Sequence, residues 1–296
     1  MELLMSTHSK GIFAKSALLS ATLIWGSSFF VMKNTIDSIP IYYLLAVRFT
    51  VAAVTLMLIF NRSMKKFSLE YLWKGSVLGI LLFIAYAFQT YGLLGTTPGK
   101  NAFLTTVYCV MVPFLYWAIK KVRPDIFNIA ASVICVAGIG LVSLSGDFTI
   151  GIGDVLTLIC GLFYALHIVA VASFSKDRDI FLLTAVQFGS AAAVSWIFAF
   201  LFNTFPKFIE PDSMMEILYL CFFATTLALL LQNVGQKYTP PSTAAIILSL
   251  ESVFGVLFSI LFYNEKLTLK TASGFTLIFV AVIISETKFS FISTLF

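Results

Sequence analysis

The chain has 296 residues, of which 59% are hydrophobic and only 11% charged. A soluble domain carries roughly 25% charged residues, so a water-exposed globule is excluded and a bilayer is the solvent that fits. The formal charge of +5 sits in short clusters between long apolar runs. Without a continuous basic patch or an RNA-binding motif, it does not point to a nucleic-acid partner.

Runs of about 20 apolar residues mark spanning helices. The first covers 12–33. It is too long for a signal-peptide core and no small-residue cleavage site follows it, so it is expected to stay in the mature protein. Further runs lie at 40–60, 72–94, 99–119 and 125–145, and a second set at 152–174, 180–203, 214–236, 241–262 and 268–287. The loops between them are short and hold most of the charge, leaving no room for an added soluble domain. Cys109, Cys135, Cys160 and Cys221 all fall inside these runs. They lack C-x-x-C spacing and a nearby histidine, so packing is expected of them, with no metal or cofactor. Gly75 and Gly79, Gly138 and Gly140, and Gly189 are read as points of close helix approach.

Cytoplasmic loops are enriched in Lys and Arg. With the N-terminus inside, thirteen basic residues fall on the cytoplasmic side: Lys10, Lys15, Arg62, Lys65, Lys66, Lys74, Lys120, Lys121, Arg123, Lys176, Arg178, Lys237 and Lys288. Five fall outside: Lys33, Lys100, Lys207, Lys266 and Lys270. Both termini are therefore expected in the cytoplasm.

The chain also resembles itself. At an offset of 139, Ala46-Val47-Arg48-Phe49 falls on Ala185-Val186-Gln187-Phe188. At 143, Gln89 meets Gln232, Gly92 meets Gly235, Pro98 meets Pro241, Ala102 meets Ala245 and Tyr108 meets Glu251. Each half holds five runs, an odd number, so the second half must enter the bilayer upside down. The expected fold is an all-α membrane protein of ten transmembrane helices, built as two inverted five-helix repeats over 1–146 and 147–296. Inverted repeats characterise many secondary transporters, with the solute site near the midplane.

Several motifs resemble those of EamA-type transporters in the drug/metabolite transporter superfamily. They are Ile24-Trp25-Gly26-Ser27-Ser28-Phe29, the pair Arg48-Phe49, and Ser249-Leu250-Glu251-Ser252-Val253-Phe254 followed by Asn264-Glu265-Lys266-Leu267-Thr268. The family often has proline after the ninth-helix acid, where this chain has Ser252, and Val122 occupies the first-half position matching Glu265. The resemblance implies a multi-pass carrier in the cell membrane for metabolites, amino acids or amphiphiles, frequently an exporter.

Ionisable groups inside a bilayer cost roughly 2.5–3.5 kcal/mol on insertion scales and mark function more often than not. Arg48, His167 and Glu251 fall within runs. Glu251 is read either as a protonated or hydrogen-bonded carboxyl that helps pack helices or, in preference, as lining the solute path, as a proton carrier or a contact for a substrate amine. Arg48 is suited to a carboxylate or to pinning helices through carbonyls. His167 shares a helix face with Tyr164. The amides Gln89 and Gln232 occupy equivalent positions, Gln236 follows one turn on, and Asn101, Thr105 and Tyr108 form a polar stripe at i, i+4 and i+7. Trp25 offers an aromatic ring. Glu265 is read as a helix cap. The turns Thr96–Lys100 and Thr239–Thr243 are expected to act as opposite gates.

An intramembrane enzyme is the first rival, and no H-E-x-x-H, P-loop or serine–histidine pair supports one. Multidrug efflux and a non-transporting sensor are the others. The partners implied are a small-molecule solute, the surrounding lipid and, through Glu251, a proton. Cysteines introduced at Ser63 and Ser213 should label from opposite sides of the membrane. Labelling from the same side would overturn the orientation.

Overall fold

Backbone amides cannot stay unpaired in hydrocarbon, so a chain this apolar satisfies them within helices. A computed structural model describes residues 7–143, 151–202, 204–264, 266 and 268–287, and every regular element among them is helical. Glu265 and Lys288 lie outside the described residues.

The first half comprises α1 (Thr7–Thr35), α2 (Ile41–Ile59), a short α3 (Asn61–Met64), α4 (Leu69–Leu94), α5 (Pro98–Thr105), α6 (Tyr108–Lys120) and α7 (Ile126–Ser143). The second half comprises α8 (Ile152–Phe174), α9 (Ile180–Leu201), α10 (Pro211–Tyr219), a π-helical stretch (Leu220–Leu227), α11 (Ala228–Tyr238), α12 (Pro241–Leu248), α13 (Leu250–Tyr263) and α14 (Leu269–Thr287). Among the described residues, eight helical segments are long and apolar enough to cross a membrane. Ile126–Gly138 and Ala272–Ala281 are shorter apolar helices.

The apolar runs at 99–119 and 241–262 are not continuous helices. Each starts with a proline in its first turn, where the missing amide costs nothing, and each is interrupted near its middle, after Thr105 and at Ser249. Hydroxyls cover carbonyls freed at the breaks. Thr106 donates to the Phe103 carbonyl at 2.7 Å, Ser249 to Ile246 at 2.6 Å and Ser252 to Ser249 at 2.7 Å. Both broken crossings are followed by a left-handed residue, Lys121 at φ 58° and Asn264 at φ 56°.

α2 packs along α9, α4 lies against α8 and α9, α1 runs between α11 and α13, and α7 pairs with α14. α5 crosses α13, and α12 crosses α6. Of the glycines read as close contacts, Gly75, Gly79 and Gly138 fit that role. A methyl group at Gly79 would stand 2.8 Å from Ser190 Cβ on α9. Gly140 has open space instead, and Gly189 meets only the Met57 methyl at 4.0 Å. Of the apolar cores that result, two are large. One is built on α2, α4 and α9 around Phe49, Leu82 and Phe188, the other around Phe103, Val112 and Ile246. Leu58, Ile126, Leu201 and Leu261 point outward, exposed, as a lipid-facing surface requires. Ser213 is nearly buried against Ser38, at 3.2 Å, so exposed Glu210 is the better labelling position on that loop.

At the other end of the bundle, Asp179 caps α9 by accepting from the amides of Phe181 at 3.1 Å and Leu182 at 3.4 Å. Lys66 reaches the same carboxylate at 2.7 Å, and the Asp179 amide donates to Tyr71 Oη at 2.8 Å. Burial pushes the Asp179 carboxyl up, but hydrogen bonds from Lys66, Ser63 and the Leu182 amide outweigh it and hold the pKa below its ordinary 3.8. A depressed carboxyl contributes stability above its unfolded-state pKa, and that contribution fades as pH falls through the folded value. Asp179→Ala should therefore lower stability at neutral pH by about 1 kcal/mol, the usual worth of an N-cap. Thermal unfolding in detergent checks this. The gap between variant and wild type should shrink below about pH 4, and an equal gap at both pH values would contradict the assignment.

Candidate functional site

The two helix breaks deliver the central side chains. Tyr108 is the first residue of α6 and Glu251 the second of α13, each just past its break. Tyr108 Oη donates to Glu251 Oε1 at 3.1 Å, and both residues are buried. Glu251 also sits in the first turn of α13, where the helix end favours negative charge.

Arg48 on α2 is 1% exposed. Its Nε donates to Thr225 Oγ1 at 2.8 Å, its Nη1 faces Met32 Sδ at 3.8 Å, and its guanidinium lies 5.0 Å from the centre of the Tyr86 ring. Thr225 belongs to the π-helical stretch, where its hydroxyl donates back five residues to the Leu220 carbonyl at 2.7 Å. Wide turns of this kind recur at functional sites; here the wide turn presents a hydroxyl to a buried cation. Among the described residues no ion pair joins Arg48 to Glu251. Three tyrosines lie between them. Tyr86 and Tyr164 meet edge to face at 5.8 Å, and Tyr164 meets Tyr108 at 6.4 Å.

The amides tie this row to the helices beside it. Tyr164 Oη donates to Gln89 Oε1 at 3.1 Å, and Gln89 Nε2 donates to Thr105 Oγ1 at 3.2 Å. Asn101 Nδ2 donates to Thr157 Oγ1 at 2.8 Å and to the Gln89 carbonyl at 3.2 Å, while its Oδ1 is buried without a partner. Trp25 Nε1 donates to the Ala224 carbonyl at 2.9 Å.

These groups surround one cavity of about 40 Å³, room for roughly three waters. Eight of the residues singled out in the sequence line it, Trp25, Arg48, Gln89, Asn101, Tyr108, Tyr164, Gln232 and Glu251, whereas Thr105 and Gln236 do not. Trp25 and Tyr164 touch both large apolar cores, so the cavity lies at their seam. His167 is not in the lining; it is fully buried beside Gln187. The Asn101–Thr105–Tyr108 stripe does not run along one helix, because the break separates Tyr108 from the other two. Tyr86, Thr90 and Thr225 were not picked out from the sequence. Tyr86 lies three residues before Gln89 on the same helical face, and that spacing was the available signal.

Charged side chains gather at the Thr96–Lys100 end. Lys33 Nζ donates to the carbonyls of Leu93 at 2.8 Å and Thr96 at 3.3 Å, at the C-terminus of α4 where a cation is favoured. Lys100 pairs with buried Asp154 at 2.7 Å. At the opposite end, the Pro240–Thr243 turn borders a separate cavity of about 190 Å³ shared with Arg123 and Asp125.

A profile of the EamA-like transporter family matches residues 12–144 and, a second time, residues 151–287. The chain belongs to this family. An "uncharacterized transporter" of Archaeoglobus fulgidus is 36% identical over 276 residues, covering 93% of this chain and 86% of its own. The "uncharacterized transporter YoaV" of Bacillus subtilis is 23% identical and covers 92% of this chain and 96% of its own. A crystal structure of a protein 16% identical superposes with a TM-score of 0.74 over 92% of this chain and 96% of the other, which supports the fold. The protein is thus a multi-pass membrane transporter.

Proposed function

We propose that the protein is a secondary carrier for a small zwitterionic metabolite, an amino acid or close relative with an apolar side chain. The observation that carries this reading is a cavity with a buried guanidinium, Arg48, and a buried carboxyl, Glu251, in its wall and no ion pair between them. Burying either charge alone is costly. A solute that brings a carboxylate to Arg48 and an ammonium to Glu251 offsets both costs at once, and the fork of Arg48 suits a carboxylate. Trp25, Phe29, Met32 and Leu93 supply the apolar wall for the rest of the solute.

The ten-span, inverted-repeat arrangement is part of the same reading. Adding α7 and α14 to the eight longer crossings gives ten. Exchanging the two halves maps α1 with α13 onto α8 with α6, α1 with α11 onto α8 with α4, and α5 with α13 onto α12 with α6, and every one of these pairs is in contact. The breaks at Thr106 and Ser249 and the left-handed residues Lys121 and Asn264 also correspond at the 143 offset. Discontinuous helices meeting at the midplane between inverted halves are a recurring carrier design. The divide falls near 146–147, with both termini cytoplasmic, in the plasma membrane, and the family resemblance favours export.

In this mechanism the cavity, which in this closed state has room for only about three waters, widens as one gate opens. The solute enters from that side and draws Arg48 and Glu251 onto its two charges as the cavity closes around it. Tyr108 holds the Glu251 carboxyl in place through its hydroxyl. Rocking of the halves then closes one gate and opens the other. Glu251 gains or loses a proton as hydration around it changes, so its charge reports which way the carrier faces.

Counterflow of labelled leucine or phenylalanine in proteoliposomes tests the reading. Wild type should exchange solute with a pH-dependent rate. Glu251→Gln should insert and fold normally but lose about tenfold or more of that rate and its pH dependence. An unchanged flux and pH profile in the variant would return Glu251 to a packing role. Flux of lipophilic cations without amino acids would favour multidrug efflux, and flux of neither would favour a sensor.

A further inference from the structure

A second polar cluster lies outside the cavity, between α8, α9 and α11. It contains His167, Thr184, Gln187, Asn233 and Gln236, all buried. Asn233 Nδ2 donates to Thr184 Oγ1 at 3.0 Å and to Gln187 Oε1 at 3.1 Å. Gln232, in the cavity wall, donates to Gln236 Oε1 at 3.3 Å and so joins the cluster to the cavity. Gln187 Nε2, Asn233 Oδ1 and Gln236 Nε2 nonetheless have no partner, and neither ring nitrogen of His167 reaches full hydrogen-bonding geometry although Gln187 lies beside it. A buried polar atom left unpaired is costly. Five such atoms gathered in one place call for a partner from outside the protein.

The repeat indicates which state. At the 139 offset, His167 corresponds to Ser28 and Gln187 to Arg48. At 143, Gln232 corresponds to Gln89, Asn233 to Thr90 and Gln236 to Leu93. All five first-half counterparts line the central cavity. The cluster thus occupies, in the second half, the place that the Arg48 end of the cavity occupies in the first.

We propose that His167, Gln187, Asn233 and Gln236 form a second solute-binding site. It opens toward the end carrying the 61–68 loop when the halves exchange conformations, and it receives an uncharged hydrogen-bonding group such as a hydroxyl or a primary amide. This rests on the carrier reading above. The chemistry follows from the donor set: the amide nitrogens donate, Asn233 Oδ1 accepts, and the imidazole does one of each. With Gln187 in place of the arginine, no fixed charge within the cluster balances a charged ligand, so a desolvated ion is disfavoured. The path is therefore asymmetric, with a cationic end and a neutral end.

Cysteines at Asn233 and Gln236, with the four native cysteines replaced by alanine, test this in right-side-out and inverted membrane vesicles. The probes are membrane-impermeant methanethiosulfonates carrying a neutral polyhydroxyl, a sulfonate or a trimethylammonium group. Gln187→Cys supplies a third position on α9 if an α11 variant aggregates, and Thr90→Cys reports the Arg48 end. Positions 233 and 236 should react from the side carrying the 61–68 loop, about tenfold faster with the neutral probe than with either charged one. Thr90→Cys should react from the opposite side and prefer the sulfonate. Inert cysteines in the cluster beside a reactive Thr90→Cys would make it a closed structural network, overturning this proposal but not the carrier reading. Equal rates with charged probes would overturn the neutral site. Inertness at all positions from both sides would remove the shared pathway on which both readings stand.

Discussion

The constraint that governs this molecule is the cost of holding a guanidinium and a carboxyl in hydrocarbon surroundings without pairing them. Arg48 is held by a threonine hydroxyl, a thioether and an aromatic face, all neutral groups that help solvate a cation without cancelling it. Glu251 is held by one phenol, Tyr108, and by the start of α13. Those arrangements determine much of the local backbone. The π-helical stretch places Thr225, and the breaks after Thr105 and at Ser249 place Tyr108 and Glu251. Irregular backbone is tolerated at membrane depth only where protein or a cavity satisfies it, and here nearby hydroxyls do so.

The contact between Tyr108 and Glu251 is informative because the two residues are 143 positions apart, the offset of the repeat itself. A residue touching its own counterpart lies close to the axis that relates the halves. Divergence at that point has put a phenol on one side and a carboxyl on the other, and divergence at Arg48 and Gln187 has put a cation on one side and an amide on the other. In the proposed carrier, the duplicated scaffold supplies the rocking geometry and the differences between its halves supply the chemistry.

Much of this was legible in the sequence because hydrophobic length and polar intrusion are local signals. The apolar runs lie where the helices lie, and eight of the eleven polar or aromatic residues picked from those runs share one cavity. What the sequence did not disclose depends on tertiary context. Thr106 and Ser249 are unremarkable within apolar runs, so nothing announced the breaks. Thr225 carries no signal of its own in the sequence, and only the π-helical stretch turns it toward Arg48. His167 and Gln236 were visible singly, but their gathering with Gln187 and Asn233 required three helices to be placed together. Glycine spacing was a mixed guide. Gly79 meets a neighbouring backbone, whereas Gly140 meets nothing.

The central claim is that Arg48 and Glu251 recognise opposite charges on one solute. Calorimetric binding of an apolar amino acid, its methyl ester and its N-acetyl derivative to the purified carrier tests it most directly. The account predicts that the zwitterion binds and that removing either charge weakens binding by about tenfold or more. Equal affinity for all three compounds would contradict it.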